Sequence, residues 1–119
     1  MNSITTKLSG VTYGDAQQNI KIFGCKDVGS YALVREPDNP HDPHAIRVEI
    51  AGRVMGYIPR GIAKDLAAMM DAGRRFLALF VKRNEAFRYD TVGLTIEIVE
   101  VRDVSDLRRL FDQRRPADA

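Results

Sequence analysis

The feature that most constrains the fold of this chain is a proline-rich loop between two strand-like runs, in the segment LVREPDNPHDPHAIRV at residues 33–48. Tyr31–Arg35 precedes the loop, and the alternating residues 45–50 follow it. Three of the chain's 5 prolines lie in it. Because proline fixes its own φ and restricts the residue before it, the loop has few conformations. The local pattern leaves two interpretations open, an elaborate turn between strands or a binding site.

Hydrophobic periodicity predicts a strand-dominated chain with helices at intervals. Ala51-Gly52 predicts a tight hairpin turn, and Gly73 a helix C-terminus. Asp15 and Ser105 are the predicted N-caps of two helices. The full set of predicted elements is strands at residues 3–13, 31–35, 45–50, 53–58, 75–83 and 91–101, with helices at 15–23, 61–72 and 105–115.

Composition is that of an ordinary globular protein. The chain has 119 residues, 45% hydrophobic and 29% charged, which predicts one domain over residues 1–119. We expect its core at about residues 3–102 and its C-terminal helix at about 105–115. The single cysteine, Cys25, excludes an internal disulfide. The sequence lacks a signal-peptide pattern and an apolar run of membrane-spanning length, so we expect a cytoplasmic protein without membrane contact.

The sequence offers little for an enzyme. His41 and His44, with the carboxylate of Asp42, could ligate a metal. A catalytic metal site would also need a strong ligand from outside this loop, and nothing in the sequence pattern selects one. A dyad of Cys25 with either histidine has no surrounding motif. Glycine-rich phosphate loops of the common types are missing from the sequence. We therefore expect a binding module with no catalytic residues, no cofactor and no metal.

Nucleic-acid binding has a physical basis in this sequence. Single strands need flat side chains for their bases and cations for their phosphates. The net charge of +2 is a weak indication of such a ligand. For each candidate aromatic named below, the alternative to stacking on a base is packing in the protein core or at the rim of that core. The candidate aromatics are Tyr13, Tyr57 and Phe87, and the candidate cations are Arg60, Lys82 and Arg83.

The proline-rich loop and the segments after it resemble the HIRAN domain family from about residue 10 to residue 101. The matching residues are Glu36, Pro37, Asn39, Pro40, Asp42, Ala45, Ile46 and Val48, then Gly56, Tyr57, Ile58, Pro59 and Arg60, then Asp71, Ala72 and Gly73. The resemblance implies a mainly β fold with helices, a small β-barrel related to the OB-fold with one or two packed helices. Such domains occur alone in bacteria and phages, as we expect here, or fused to helicase and nuclease domains. The best understood members capture the 3′ end of single-stranded DNA.

The resemblance also implies roles for individual residues. Tyr13 and Phe87 match the aromatics that stack on terminal bases. Asn39 and Asp42 match the residues that contact the terminal nucleotide and its 3′-hydroxyl, and Arg60 matches a phosphate contact. The chain departs from the DNA-binding eukaryotic members at four positions, where Thr12 replaces arginine, Gly14 and His41 replace aromatics, and Tyr57 replaces histidine.

These four departures affect the DNA affinity that the resemblance predicts. A missing stacking platform weakens binding, although His41 and Tyr57 can themselves stack on bases. We predict binding of single-stranded DNA with a preference for a free 3′-hydroxyl end, in DNA repair or replication. The alternative is a protein-interaction module that docks a separate helicase or nuclease, and RNA binding is a third possibility.

Overall fold

The computed structural model describes residues 3–85 and 90–114. Within these ranges the elements follow one another as β1 (Ile4–Lys7), α1 (Ala16–Phe23), β2 (Tyr31–Arg35), β3 (Ile46–Ile50), β4 (Arg53–Tyr57), α2 (Arg60–Asp71), β5 (Phe76–Glu85), β6 (Val92–Glu100) and α3 (Val104–Arg114).

The strands form an antiparallel sheet in the order β1-β6-β5-β2-β3-β4. Ser9, two residues after β1, pairs with Tyr57 at the end of β4, and each backbone N–H donates to the other residue's carbonyl oxygen over 2.8 Å. This bridge joins the two ends of the strand order, so the sheet closes on itself. The predicted OB-like barrel with packed helices is confirmed.

Gly56 permits this closure. A Cβ atom at this position would lie 2.8 Å from the carbonyl oxygen of Ser9, closer than real Cβ contacts allow. Its φ of +155° is also a conformation that other residues rarely adopt. The strand β4 can therefore approach the end of β1 only because residue 56 has no side chain.

The β3–β4 hairpin has the predicted turn. Ala51 and Gly52 have φ of 51° and 78°, and positive φ at both central residues is what a type I′ turn requires. The predicted end of α2 is also confirmed. Gly73 N–H donates to the Met70 carbonyl, and Arg74 N–H donates to that of Met69, which is the bonding of a Schellman motif.

The core lies inside the barrel and under α1 and α2. Alternate residues of β3 and β6 point inward, as their period-2 pattern predicts. Full burial of one such aliphatic side chain contributes about 1.5–3 kcal/mol. The largest fully buried side chains are Ile20, Tyr31, Ile46, Val48, Met55, Leu66, Leu79, Leu94 and Ile96.

The first predicted strand is too long. β1 ends at Lys7, and after the bridge at Ser9 the chain turns at residues 11–15. The side chain of Gln17 holds this turn against β6. Its Nε2 donates to the carbonyl oxygens of Val11 and Val92 over 2.7 and 2.9 Å, and its Oε1 accepts from Val92 N–H over 2.7 Å.

Both predicted N-caps need correction. Asp15 is at the N-cap position of α1, but its side chain makes no capping hydrogen bond. Helix α3 begins at Val104, and the carboxylate of Asp103 accepts a hydrogen bond from Asp106 N–H over 2.9 Å. The cap of α3 is therefore Asp103 and not Ser105. In the described part of the chain, no helix is both long enough and apolar enough to cross a membrane.

Candidate nucleic-acid interface

The loop at residues 36–45, here called the proline loop, is held by its own polar groups. Asn39 Oδ1 accepts hydrogen bonds from the N–H groups of His41 and Asp42 over 2.8 and 3.2 Å. Asp42 Oδ1 accepts one from His44 N–H over 2.8 Å. These are turns of the type that Asn and Asp side chains stabilise. The loop therefore has its shape before any ligand binds.

Arg35 holds the C-terminal end of the proline loop. Its guanidinium donates to the carbonyl oxygens of Ala45 and Pro43 over 2.9 and 3.0 Å. The same group forms a two-pronged ion pair with Asp71 at the end of α2, with distances of 3.0 and 3.1 Å. The pKa of Asp71 is lowered, chiefly by the hydrogen bond from Arg35. The loop is thereby fixed to α2 as well as to β2 and β3.

Glu36 connects the loop to the barrel. Its Oε1 accepts from Asn39 Nδ2 over 2.9 Å, and its Oε2 accepts from the Tyr57 hydroxyl over 2.9 Å and from Arg47 over 3.2 Å. Burial raises the pKa of the Glu36 carboxyl, but these three hydrogen bonds outweigh burial, so the pKa lies below its usual value. Burial and the same carboxylate raise the pKa of Tyr57, which keeps its hydroxyl a donor.

A pocket of about 210 Å³ opens beside the proline loop, and we call it the Asp42 pocket. The side chain of Asp42 is 19% exposed, and its Oδ2 lies 3.8 Å from Nε of Arg60, the first residue of α2. Arg60 also donates to the carbonyl oxygen of His41 over 3.1 Å, although its side chain is 76% exposed. The pocket thus combines one carboxylate with cations and imidazoles; its lining is His41, Asp42, His44, Arg60 and Lys64.

A larger cleft of about 370 Å³, the tyrosine cleft, lies where the turn after β1 meets the β3–β4 hairpin. A Cβ atom on Gly10 would lie 3.2 Å from the ring of Tyr13 and 3.2 Å from that of Tyr57. The two rings therefore flank the same glycine. Tyr13 is 73% exposed, so core packing does not account for it. The lining is Gly10, Tyr13, Gly14, Asp15, Asn19, Gly52, Arg53, Val54 and Tyr57.

The structure brings most of the predicted site residues into two groups. His41, Asp42 and Arg60 line the Asp42 pocket, and Tyr13 and Tyr57 line the tyrosine cleft. Tyr57 also connects the two groups, through its hydrogen bond to Glu36. Asn39 lines neither cavity, and its amide oxygen already accepts two backbone hydrogen bonds within the proline loop. Its predicted contact with a nucleotide stays a prediction.

Lys82 and Arg83 line neither the pocket nor the cleft. Arg83 donates to the carbonyl oxygen of Lys21 on α1 over 3.2 Å and pairs with Glu85 over 2.9 Å. Phe87 lies outside the described residues. The roles of these three side chains in binding therefore stay predictions.

Sequence reasoning missed several residues of the site. Lys64 follows Arg60 by four residues on α2, and this spacing would have placed both cations on one helix face. Glu36 belongs to the loop motif but was not expected to bond Tyr57. Arg53 and Asn19 carry no local signal, because the fold alone brings them to the tyrosine cleft. Within residues 3–85 and 90–114, no group of three or more His, Cys, Asp or Glu side chains is arranged to hold a metal ion.

An antiparallel barrel closed by one bridge, with packed helices, defines a small domain of the OB-like class. The family model described as "HIRAN domain" matches residues 1–100, and the chain belongs to this family, which is known for nucleic-acid binding. The crystal structure of the HIRAN domain of human HLTF is similar, with a TM-score of 0.60 and 17% identity over 97% of this chain and 90% of that chain.

Two further proteins are similar to this chain. The crystal structure of a protein from Lactobacillus plantarum has a TM-score of 0.61 and 24% identity, covering 84% of this chain and 98% of that chain. A Fanconi-associated nuclease 1 homolog from Oryza sativa subsp. japonica is 40% identical over an alignment of 58 residues, with 45% of this chain covered. The match spans only 6% of the nuclease's length.

Proposed function

We propose that this chain is a binding module, not an enzyme, that binds single-stranded DNA and captures a free 3′-hydroxyl end in the Asp42 pocket. The observation that carries the proposal is the Asp42 carboxylate itself. It is mostly buried, its Oδ1 accepts from His44 N–H, and its Oδ2 lies 3.8 Å from Nε of Arg60, which lines the same pocket with Lys64.

The chemistry of a carboxylate favours a hydroxyl over a phosphate at the strand end. An ionised carboxylate only accepts hydrogen bonds, and a terminal hydroxyl can donate one. A terminal phosphate would instead place like charges a few ångströms apart, which costs about 1 kcal/mol or more in partly dry surroundings. Arg60 and Lys64 would meet the phosphate that precedes the last nucleotide, and Tyr13, with Phe87 by its match to the family, would stack on bases.

Fluorescence anisotropy with three versions of one labelled strand tests this proposal. A strand with a 3′-hydroxyl should bind more tightly than its 3′-phosphorylated form, while a 5′-phosphate should change little. Asp42→Asn should remove most of the discrimination, because the amide oxygen can still accept from His44 N–H but the charge is gone. Asp38→Asn is the matched control, since Asp38 is an exposed carboxylate of the same loop.

Equal binding of the 3′-hydroxyl and 3′-phosphate strands would reject end capture. The same strands made of RNA would then decide between the two sugars, because stacking on aromatic rings does not distinguish them.

The second candidate is docking to a separate nuclease or helicase. It is favoured by the rice relative, a nuclease in which the matching 58 residues are a small part of a much longer chain. A lack of binding to every strand at low salt and micromolar concentration would favour this candidate over nucleic-acid capture.

A further inference from the structure

Asp15 has a carboxylate that its helix does not use. The residue occupies the N-cap position of α1, where Asp usually accepts a hydrogen bond from a backbone N–H of the first turn. Here its side chain makes no capping bond, while its backbone carbonyl accepts a hydrogen bond from Asn19 N–H over 2.9 Å. Asp15 is exposed and is one of the residues that line the tyrosine cleft.

Arg53 supplies hydrogen-bond donors to the same cleft. It is the first residue of β4, and its guanidinium carbon lies 5.6 Å from the centroid of the Phe23 ring. This cation–π contact positions the guanidinium, while its N–H groups stay available in the plane of the group. The cleft therefore has an acceptor just before α1, at Asp15, and a planar donor on the hairpin, at Arg53.

Asn19 contributes a fixed polar side chain to the lining of the cleft. Its side chain is 5% exposed, and its Nδ2 donates to the carbonyl oxygen of Val54 over 2.9 Å. Because this bond uses the donor end of the amide, Oδ1 is the end that can accept from a ligand. Buried polar groups of this kind fix the orientation of a ligand in its site.

The walls and size of the cleft suit a nucleobase. The rings of Tyr13 and Tyr57 offer flat surfaces on which a base can stack. The volume of about 370 Å³ is at the small end of the range for ligand sites. Glycines at positions 10, 14 and 52 keep side chains out of the space.

Guanine is the base whose edges match these polar groups. It carries two adjacent donors, N1–H and the N2 amino group, which together can meet both oxygens of a carboxylate. Its O6 and N7 acceptors are the usual partners of an arginine. Adenine, cytosine and thymine lack the pair of adjacent donors.

We propose that the tyrosine cleft is a base-reading subsite that prefers guanine, with Asp15 and Arg53 as its specificity-determining residues. Tyr57 lines this cleft and also bonds Glu36 of the proline loop. In the proposed arrangement the cleft takes the base of the nucleotide next to the one in the Asp42 pocket. The inference rests on the proposed binding of a single strand with its 3′ end in that pocket.

Short oligothymidylate strands with a single replacement at the second nucleotide from the 3′ end test the subsite. Anisotropy should show guanine binding more tightly than adenine or cytosine by about fivefold or more. Inosine, which lacks only the N2 amino group, should lose most of this gain. The same replacements near the 5′ end should have no effect.

Asp15→Asn should abolish the guanine preference, measured as the ratio of the affinities for the guanine-containing strand and for plain oligothymidylate. It should not alter the melting temperature, because the carboxylate does not cap α1. Asp65→Asn on the exposed surface of α2 is the matched control and should keep the preference.

Equal affinity for all bases in the wild type would overturn the subsite while leaving end capture intact. A preference that survives Asp15→Asn would also overturn the assignment. If none of the strands binds, the proposed function fails, and the subsite fails with it.

Discussion

The hydroxyl of Tyr57 donates a hydrogen bond of 2.9 Å to the carboxylate of Glu36 and so joins the tyrosine cleft to the proline loop. Tyr57 is the residue whose backbone closes the barrel by pairing with Ser9. Glu36 in turn holds Asn39, whose amide oxygen orders the turn that carries Asp42. Barrel closure, the tyrosine cleft and the Asp42 pocket are therefore joined by one connected set of hydrogen bonds.

The first prediction concerns the pH dependence of stability. Hydrogen bonds hold the pKa of Glu36 below its usual 4.5 in the folded protein, so at acidic pH the unfolded chain binds more protons. The stability that Glu36 contributes is therefore present above about pH 4.5 and is lost as the pH falls through the lowered folded value. Glu36→Gln should remove this part of the dependence.

Urea unfolding of the wild type and Glu36→Gln between about pH 7 and pH 3 measures this difference. The wild type should be the more stable at neutral pH, and the gap should narrow in acid. Asp38→Asn controls for the loss of a negative charge from the same loop. A gap that stays constant with pH would show that the Glu36 hydrogen bonds do not depend on its charge.

The second prediction concerns salt. Each phosphate contact on a single strand contributes about −0.7 to the slope of log K against log salt, so two or three contacts give about −1.5 to −2. Arg60→Ala should make the slope shallower by roughly 0.7, because Arg60 lines the Asp42 pocket while most of its side chain is in solvent.

Arg75→Ala is the control for Arg60→Ala. Arg75 is exposed just before β5 and lines neither the pocket nor the cleft, so its loss should leave the slope unchanged. If both variants change the slope equally, the effect is one of net charge and Arg60 makes no specific contact.

The local part of the fold was predictable because it follows from short-range patterns. The bounds of β2 were predicted residue for residue, and those of β3 and β4 to within one residue, since alternation and the Ala51-Gly52 turn are visible in the sequence. The first strand was overextended because the turn at residues 11–15 depends on Gln17, whose side chain bonds Val92, a residue 75 positions later in the sequence.

The site was predictable only in part, for the same reason. The proline loop and its Asp42 are local features, and the resemblance to a family identified them. The tyrosine cleft forms only when the segment after β1 meets the end of β4, which is a long-range contact. Arg53 and Asn19 join the cleft through that contact, and nothing near them in the sequence indicates it.

The third prediction concerns the hairpin turn. Ala51 has a φ of 51°, and a non-glycine residue in this left-handed region costs about 1–2 kcal/mol. Asparagine tolerates this region better, and Asn-Gly is the preferred pair for a type I′ turn. Ala51→Asn should therefore stabilise the protein by about 0.5–1 kcal/mol and raise the melting temperature by a few degrees.

Differential scanning calorimetry checks this expectation, with strand affinity measured on the same sample. Affinity should be unchanged, because Ala51 does not line the cleft. Gly52→Ala, at a φ of 78°, should lower the melting temperature. A lower melting temperature for Ala51→Asn would mean that the turn does not have the type I′ geometry.

The last prediction concerns stacking by Tyr13. A ring that is 73% exposed adds little to folding stability, so its removal should hardly change the melting temperature. If Tyr13 stacks on a base, Tyr13→Ala should weaken binding by about 1–3 kcal/mol, whereas Tyr13→Phe should bind almost as well as the wild type.

Phe111→Ala is the matched control, because Phe111 is an aromatic on α3 that is 45% exposed and lines neither the pocket nor the cleft. Anisotropy measures the affinity of the three variants, and thermal unfolding measures their stability. Full affinity in Tyr13→Ala would show that this ring does not contact the strand. Equal losses of affinity in Tyr13→Ala and Phe111→Ala would indicate a general surface effect.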